Sequence, residues 1–283
     1  MTGVVVTGGS GQVGRACVAD LLAHGYEVVN VDAAPPAIEK CPFVQADLSD
    51  FGQAFEVLSE VDDRLHDIDA LVHLAAIPAP GKNPNAVIFK VNTLSTYNVF
   101  EAARRTGVRN IVWASSETVL GIPFDTPPPY APVDEEYAGR PESAYSLSKL
   151  LGEEMAKQFC RWDPELKIIG LRFSNVMEPE DYARFPSFDA DARLRKWNLW
   201  AYIDARDAAE AIRLALEAPI KGAEVFIIAN ADTVMSRSNK ELMAEVFPGV
   251  PLKDGIGEDG TLLSIEKARR LLGYEPQHGW RSM

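Results

Sequence analysis

The sequence is poor in cysteine, with Cys17, Cys41 and Cys160 the only three it contains. So few, so scattered, exclude a disulfide framework and a zinc site, and the chain reads as a reduced, cytoplasmic protein. Histidine is scarce as well. Residues 24, 66, 73 and 278 show no metal-ligand spacing, so no metal is expected. No apolar run approaches the roughly 18 residues of a membrane span, and the start, Thr2-Gly3-Val4-Val5-Val6, lacks the basic flank of a signal peptide. Basic residues are outnumbered, 28 Lys and Arg against 41 Asp and Glu, for a net charge of −13. Such an acidic balance argues against nucleic acid, which selects a basic stripe. A small anionic ligand stays open, because a pocket can carry its own positive charge.

What is present is the 47% hydrophobic and 24% charged mixture of a globular protein, over 283 residues. That length is ample for one large core or two small ones. Short apolar runs alternate with amphipathic stretches, the pattern of a parallel sheet covered by helices. Strands are predicted at residues 4–7, 27–32, 70–76, 110–115 and 167–176, and helices at 13–23, 86–104 and 142–160. From 177 to 200 the periodicity is lost among prolines, aromatics and arginines. Residues 202–217 then read as strand plus helix, 224–229 as a strand, and 238–247 and 264–272 as helices. Between Pro123 and Pro141, six prolines resist helix and central strand alike. That segment is predicted to be a long surface loop and a candidate lid.

Two motifs carry chemistry. Thr7-Gly8-Gly9-Ser10-Gly11-Gln12-Val13-Gly14 follows a strand and opens a helix. Glycines at 8, 11 and 14 permit a tight turn, close approach of a pyrophosphate and close helix packing, and the helix N-terminus offers N–H groups to phosphate. The second strand ends at Asp32, whose carboxylate suits ribose hydroxyls. Ala33-Ala34-Pro35-Pro36 leave nothing to hold a 2′-phosphate, so the cofactor is expected to be NAD. Tyr145 and Lys149 stand four apart on one predicted helix face. A nearby ammonium and the positive nicotinamide ring are expected to lower the tyrosine pKa from ~10, making a base for a carbinol proton. The strand ending Ala114-Ser115-Ser116 delivers hydroxyls to the same sheet edge.

Together with Asp47-Leu48, His73-Leu74-Ala75-Ala76, Asn92, and the tail Lys267-Ala268-Arg269-Arg270-Leu271-Leu272-Gly273-Tyr274, these residues resemble the extended short-chain dehydrogenases/reductases of the NAD-dependent epimerase/dehydratase family. The resemblance implies an α/β, Rossmann-type doubly wound parallel sheet with a small C-terminal substrate lobe. The NAD-binding domain would comprise residues 1–171 and 201–230, and the lobe 172–200 and 231–283. By the same resemblance Asp47 and Leu48 flank the adenine, while Leu74, Ala75 and Ala76 line the nucleotide pocket. Asn92 supports the helix near the site, Lys149 holds the nicotinamide ribose, and Phe173 packs near the nicotinamide. Ser116 matches the catalytic hydroxyl beside Tyr145, with Ser115 next to it. Glu117 stands where sugar-nucleotide dehydratases have an aspartate, but Thr118 replaces their glutamate, so a dehydratase mechanism looks incomplete; a plain surface acid is the other reading of Glu117. Leu171-Arg172-Phe173-Ser174-Asn175 resembles the stretch in which an asparagine touches the sugar. A homodimer through helices 86–104 and 142–160 is implied as well.

Two departures bear on substrate. Trp200 stands where nucleotide-sugar epimerases place a diphosphate arginine, and Lys253-Asp254-Gly255 is only a distant echo of the second. The compact 178–184 segment resembles that of uronate dehydrogenases, which makes Arg184 a candidate for a substrate carboxylate, with Arg193 and Arg195 as alternatives. Three functions follow: an NAD-dependent sugar epimerase, a net dehydrogenase of a free sugar or uronic acid, or a non-catalytic NAD-binding sensor.

Overall fold

The computed structural model describes residues 2–59, 68–81 and 83–282. Its centre is a seven-stranded parallel sheet: β1 Gly3–Thr7, β2 Glu27–Asp32, β3 Phe43–Gln45, β4 Ile68–His73, β5 Asn110–Ser116, β6 Lys167–Phe173 and a last strand, Gly222–Ile228. Between β6 and that last strand, the short β7 Val176–Met177 and β8 Ile203–Asp204 form a separate parallel pair, so the last strand is β9. The strand order β3-β2-β1-β4-β5-β6-β9 reverses direction at β1. That reversal opens a crevice beyond the carboxyl ends of β1 and β4, where ligands of such sheets bind.

Both faces of the sheet are covered, which is why its strands read as unbroken apolar runs. Val4 and Val6 face a core shared with Cys17, Leu21 and Ile212, whereas Val5 points the other way, toward Phe100, Trp113 and Phe159. The first core is roofed by α1 Gln12–Ala23 and α5 Ala205–Glu217, which pack on each other. Helices α2 Phe51–Glu56, α3 Asn85–Thr106 and α4 Ala144–Trp162 cover the second. A reciprocal cap between Ser143 and Ser146 starts α4 just ahead of Tyr145. The tail carries α6 Asn239–Val246 and α7 Glu266–Leu272. None of the described helices is long and apolar enough to cross a membrane.

Several expectations are corrected. The 70–76 strand stops at His73, after which the chain leaves the sheet, and the 167–176 strand breaks into β6 and β7. The short β3 and α2, three and six residues long, carry no readable period and were absent from the sequence prediction. Residues 177–200 form two 3-10 helices, Pro179–Ala190 and Ala192–Asn198. The proline-rich stretch is not a surface loop throughout. Phe124, Ala131 and Val133 are buried, and the N–H groups of Ala131 and Val133 donate to Pro251 and Leu262 carbonyls, stitching it to the tail.

Candidate active site

A cleft of about 1010 Å³ occupies the crevice. Its floor at one end is the glycine turn. Gly8 has φ +75°, and a Cβ there would lie 2.5 Å from the Ala75 nitrogen; one at Gly14 would lie 2.1 Å from the Gly8 carbonyl oxygen. Both positions therefore require glycine for backbone packing. Gly11 caps α1 without any side-chain hydrogen bond, so the first N–H groups of the helix stay open to the cleft that Gly11, Gln12, Val13 and Gly14 line. This fits an anionic pyrophosphate. Asp32 is held in place by the N–H groups of Ser10 at 3.1 Å and Ala34 at 3.3 Å. Asp47, Leu48, Leu74, Ala75 and Ala76 complete this wall. Asn92 lies behind it, clamping the Ile77 backbone by bonds of 2.8 and 3.1 Å from both ends of its amide.

At the other end, β5 and α4 bring Ser116, Tyr145 and Lys149 together in the cleft lining. Ser116 acts on the Tyr145 hydroxyl in the direction that favours the phenolate. Thr118 donates to Ser116 Oγ from both its N–H, at 3.2 Å, and its hydroxyl, at 3.0 Å. Lys149 Nζ donates to the Ala114 carbonyl at 2.7 Å and lies 5.7 Å from the Tyr145 ring centroid. The sequence-based expectation of a lowered tyrosine pKa is reversed in the protein alone. Burial pushes Tyr145 up to about 12, against the effect of Ser116, and burial pulls Lys149 down to about 8. Desolvation penalises both charged forms, and the neighbouring Glu117 charge raises Tyr145 further.

Glu117 is not a surface acid: it is 3% exposed, beside Ser116. Ser115 turns away from the cleft centre, its hydroxyl donating to Glu153 at 2.6 Å. Glu153 is held by Arg172 through bonds of 2.8 and 2.7 Å, bolting α4 to β6 beneath the site. Phe173 and Asn175 border the cleft, as do Ser174 and Val176. Arg184 is not brought to it. Its side chain is 63% exposed and paired with Asp181. Arg193 lies near Glu245, and Arg195 is buried, donating to the Ala201 carbonyl. Trp200 is core, its indole N–H donating to the Ala192 carbonyl at 2.7 Å, and Lys253 is engaged with Asp134 at 2.6 Å. His66 lies outside the described residues. Sequence reasoning missed Trp197, Ile122 and the 77–80 stretch, all of which line the cleft. Trp197 sits in the aperiodic segment, where no spacing signals a wall.

A family model described as the NAD dependent epimerase/dehydratase family matches residues 4–229. The UDP-glucose 4-epimerase of Mus musculus is 32% identical over 192 residues, 62% of this chain and 54% of the mouse protein. The chain thus spans about half the length of the curated relatives it matches. Among solved structures, a UDP-galactose 4-epimerase superposes with a TM-score of 0.71 at 28% identity, covering 98% of this chain and 94% of that one. A UDP-glucose 4-epimerase from Bifidobacterium longum, solved with NAD+ and UDP, gives a TM-score of 0.72 at 21% identity, with 100% and 96% covered, a likeness of fold. Sheet order, glycine turn and matched length agree: the chain belongs to the NAD dependent epimerase/dehydratase family, a family of NAD-dependent enzymes.

Proposed function

We propose that the chain transfers hydride between a sugar carbinol carbon and NAD, and that it epimerises that carbon. One observation carries the reading: Ser116, Tyr145 and Lys149 meet in the same cleft as the glycine turn and the open N-terminus of α1. Gly11, Gln12 and Val13 would hold the pyrophosphate of NAD, Asp32 its ribose, and Asp47 and Leu48 its adenine end. When bound, NAD supplies the hydride acceptor and a positive charge. Tyr145 Oη takes the carbinol proton, while Ser116 Oγ, in the same cleft wall, orients the carbinol oxygen. Lys149, 5.7 Å from the tyrosine ring, lowers the cost of the phenolate whenever it is charged.

Epimerisation is favoured by the relatives, which include UDP-glucose 4-epimerases at 30% identity or above. Net oxidation of a free sugar or uronic acid is the second reading. It is favoured by the absence of arginine among the described residues lining the cleft and by the burial of Trp200. The intact Tyr145–Lys149 pair speaks against a non-catalytic sensor. Exposed Val87, Leu94 and Tyr97 on α3, with Leu147 and Leu151 on α4, support a homodimer that covers them. The deciding experiment mixes the protein with NAD and either UDP-sugars or free sugars and uronates, following NADH absorbance and the proton NMR spectrum. A new epimer without NADH build-up is the expected result. Stoichiometric NADH would establish the second reading, and neither signal in any mixture would overturn both.

A further inference from the structure

Glu117 follows Ser116 directly and opens the 3-10 turn Glu117–Leu120 at the end of β5. Although it borders the cleft, both of its oxygens are engaged by protein. Ser174 Oγ donates to Oε2 at 2.7 Å and Asn198 Nδ2 donates to Oε1 at 3.2 Å. These bonds tie its carboxylate to Ser174, just beyond β6, and to Asn198 at the end of a 3-10 helix. Asn198 is fully buried, does not line the cleft, and ends the 3-10 helix whose Trp197 does. The guanidinium of Arg195, on that helix, lies 4.9 Å from the Trp197 ring centroid. Beyond Asn198 the chain turns through Leu199 and Trp200 at φ +54° and +57°. Two consecutive left-handed residues that are not glycine persist only where the surroundings fix them.

We propose that Glu117 is a positioning residue: it pins the Trp197 wall and Ser174 to the strand that carries Ser116, and so sets the fit of substrate in the cleft. This rests on the reading above only in taking that end of the cleft as the substrate's. Burial pushes Glu117 up to about 7, opposed by the bonds from Ser174 and Asn198, by the Arg195 charge and by the Asn175 N–H. Tyr145 on α4 is the titratable group facing it. A protonated carboxyl has one acceptor oxygen fewer to offer. Protonated at Oε2, the carboxyl would donate to the Ser174 hydroxyl, which can rotate to accept, while Oε1 keeps the Asn198 amide bond without the charge that strengthens it. The pin therefore loosens as pH falls through about 7.

The test compares Glu117→Gln, Asn198→Ala and the double variant by amide hydrogen exchange and by steady-state kinetics with the sugar that the wild type turns over. Each single variant should speed exchange across residues 192–200, and raise KM with kcat nearly unchanged, by about tenfold, the loss expected for a hydrogen bond to a charged group. The double variant should go no further than either single one. Wild-type KM should rise below pH 7, and Glu117→Gln should abolish that rise. A fall in kcat for Glu117→Gln, with Asn198→Ala behaving as wild type in exchange and KM, would overturn the proposal, since Glu117 would then act on substrate directly. Exchange needs no substrate, so faster exchange in a protein that turns over no sugar would leave the pin standing and defeat the hydride-transfer reading instead.

Discussion

The two ends of the cleft are built on different principles. At the nucleotide end the contacts are backbone to backbone or backbone to a single carboxylate: Gly8 against Ala75, Gly14 against Gly8, and Asp32 accepting from Ser10 and Ala34. These residues sit at the ends of adjacent strands, just beyond them, or in the first turn of α1. At the substrate end the walls come from side chains far apart in the chain, with Glu117, Ser174 and Asn198 meeting from three segments. A turn of fixed backbone geometry needs particular residues at particular spacing and leaves a motif. A wall of side chains needs only that some chain arrive there, and leaves none.

The largest effect that would test this division is at the chemistry itself. Tyr145→Phe removes the proton acceptor and keeps the ring, and should reduce turnover by about a hundredfold to ten-thousandfold. NAD affinity, read by titration calorimetry, should stay within a factor of a few; unchanged turnover would sink the mechanism. Next comes the nucleotide end. Gly14→Ala would set a Cβ 2.1 Å from a backbone oxygen that cannot swing away. A loss of about 1–3 kcal/mol in stability is expected by urea unfolding, and NAD affinity should fall with it. A mutant as stable as wild type would mean that the turn is looser than its geometry indicates.

A smaller effect concerns His73, buried between Thr7 Oγ1 at 2.7 Å and Thr96 Oγ1 at 3.4 Å. Burial, aided by the Lys149 charge, depresses its pKa from 6.5 to about 3. A depressed base is neutral when folded, so its stabilising contribution is full above pH 6.5. It is lost as pH falls toward about 3. His73→Asn should flatten the acid decline of the urea midpoint in that window, and an identical decline would remove His73 from the account. The smallest effect is expected at Arg184, on the exposed surface. Arg184→Ala should change KM less than about twofold for any sugar, as expected for an exposed ion pair. A large rise confined to uronates would bring Arg184 back as their carboxylate ligand.

Much of the sheet was legible because its strands are buried on both faces and run apolar throughout. β2 was read at its observed limits, 27–32, and β1, β5 and β9 within two residues at each end. The 70–76 prediction overran because Leu74-Ala75-Ala76 is as apolar as the strand before it; those residues line a cleft rather than a sheet, and composition does not separate the two. Arg184 was singled out by resemblance in a segment whose path no local pattern sets, and that path carries it to the surface beside Asp181.

The alternation of strand and helix, the glycine turn, the carboxylate at the end of β2 and the spacing that puts Tyr145 and Lys149 on one face were all legible in the chain. Each depends on periodicity or on a backbone conformation that few residues can adopt. The burial of Glu117, its bond to Asn198, the place of Trp197 and the rise of the Tyr145 pKa emerge only once distant segments pack together. Those depend on how much water distant segments exclude when they meet, and burial of that kind is written in no single stretch of chain.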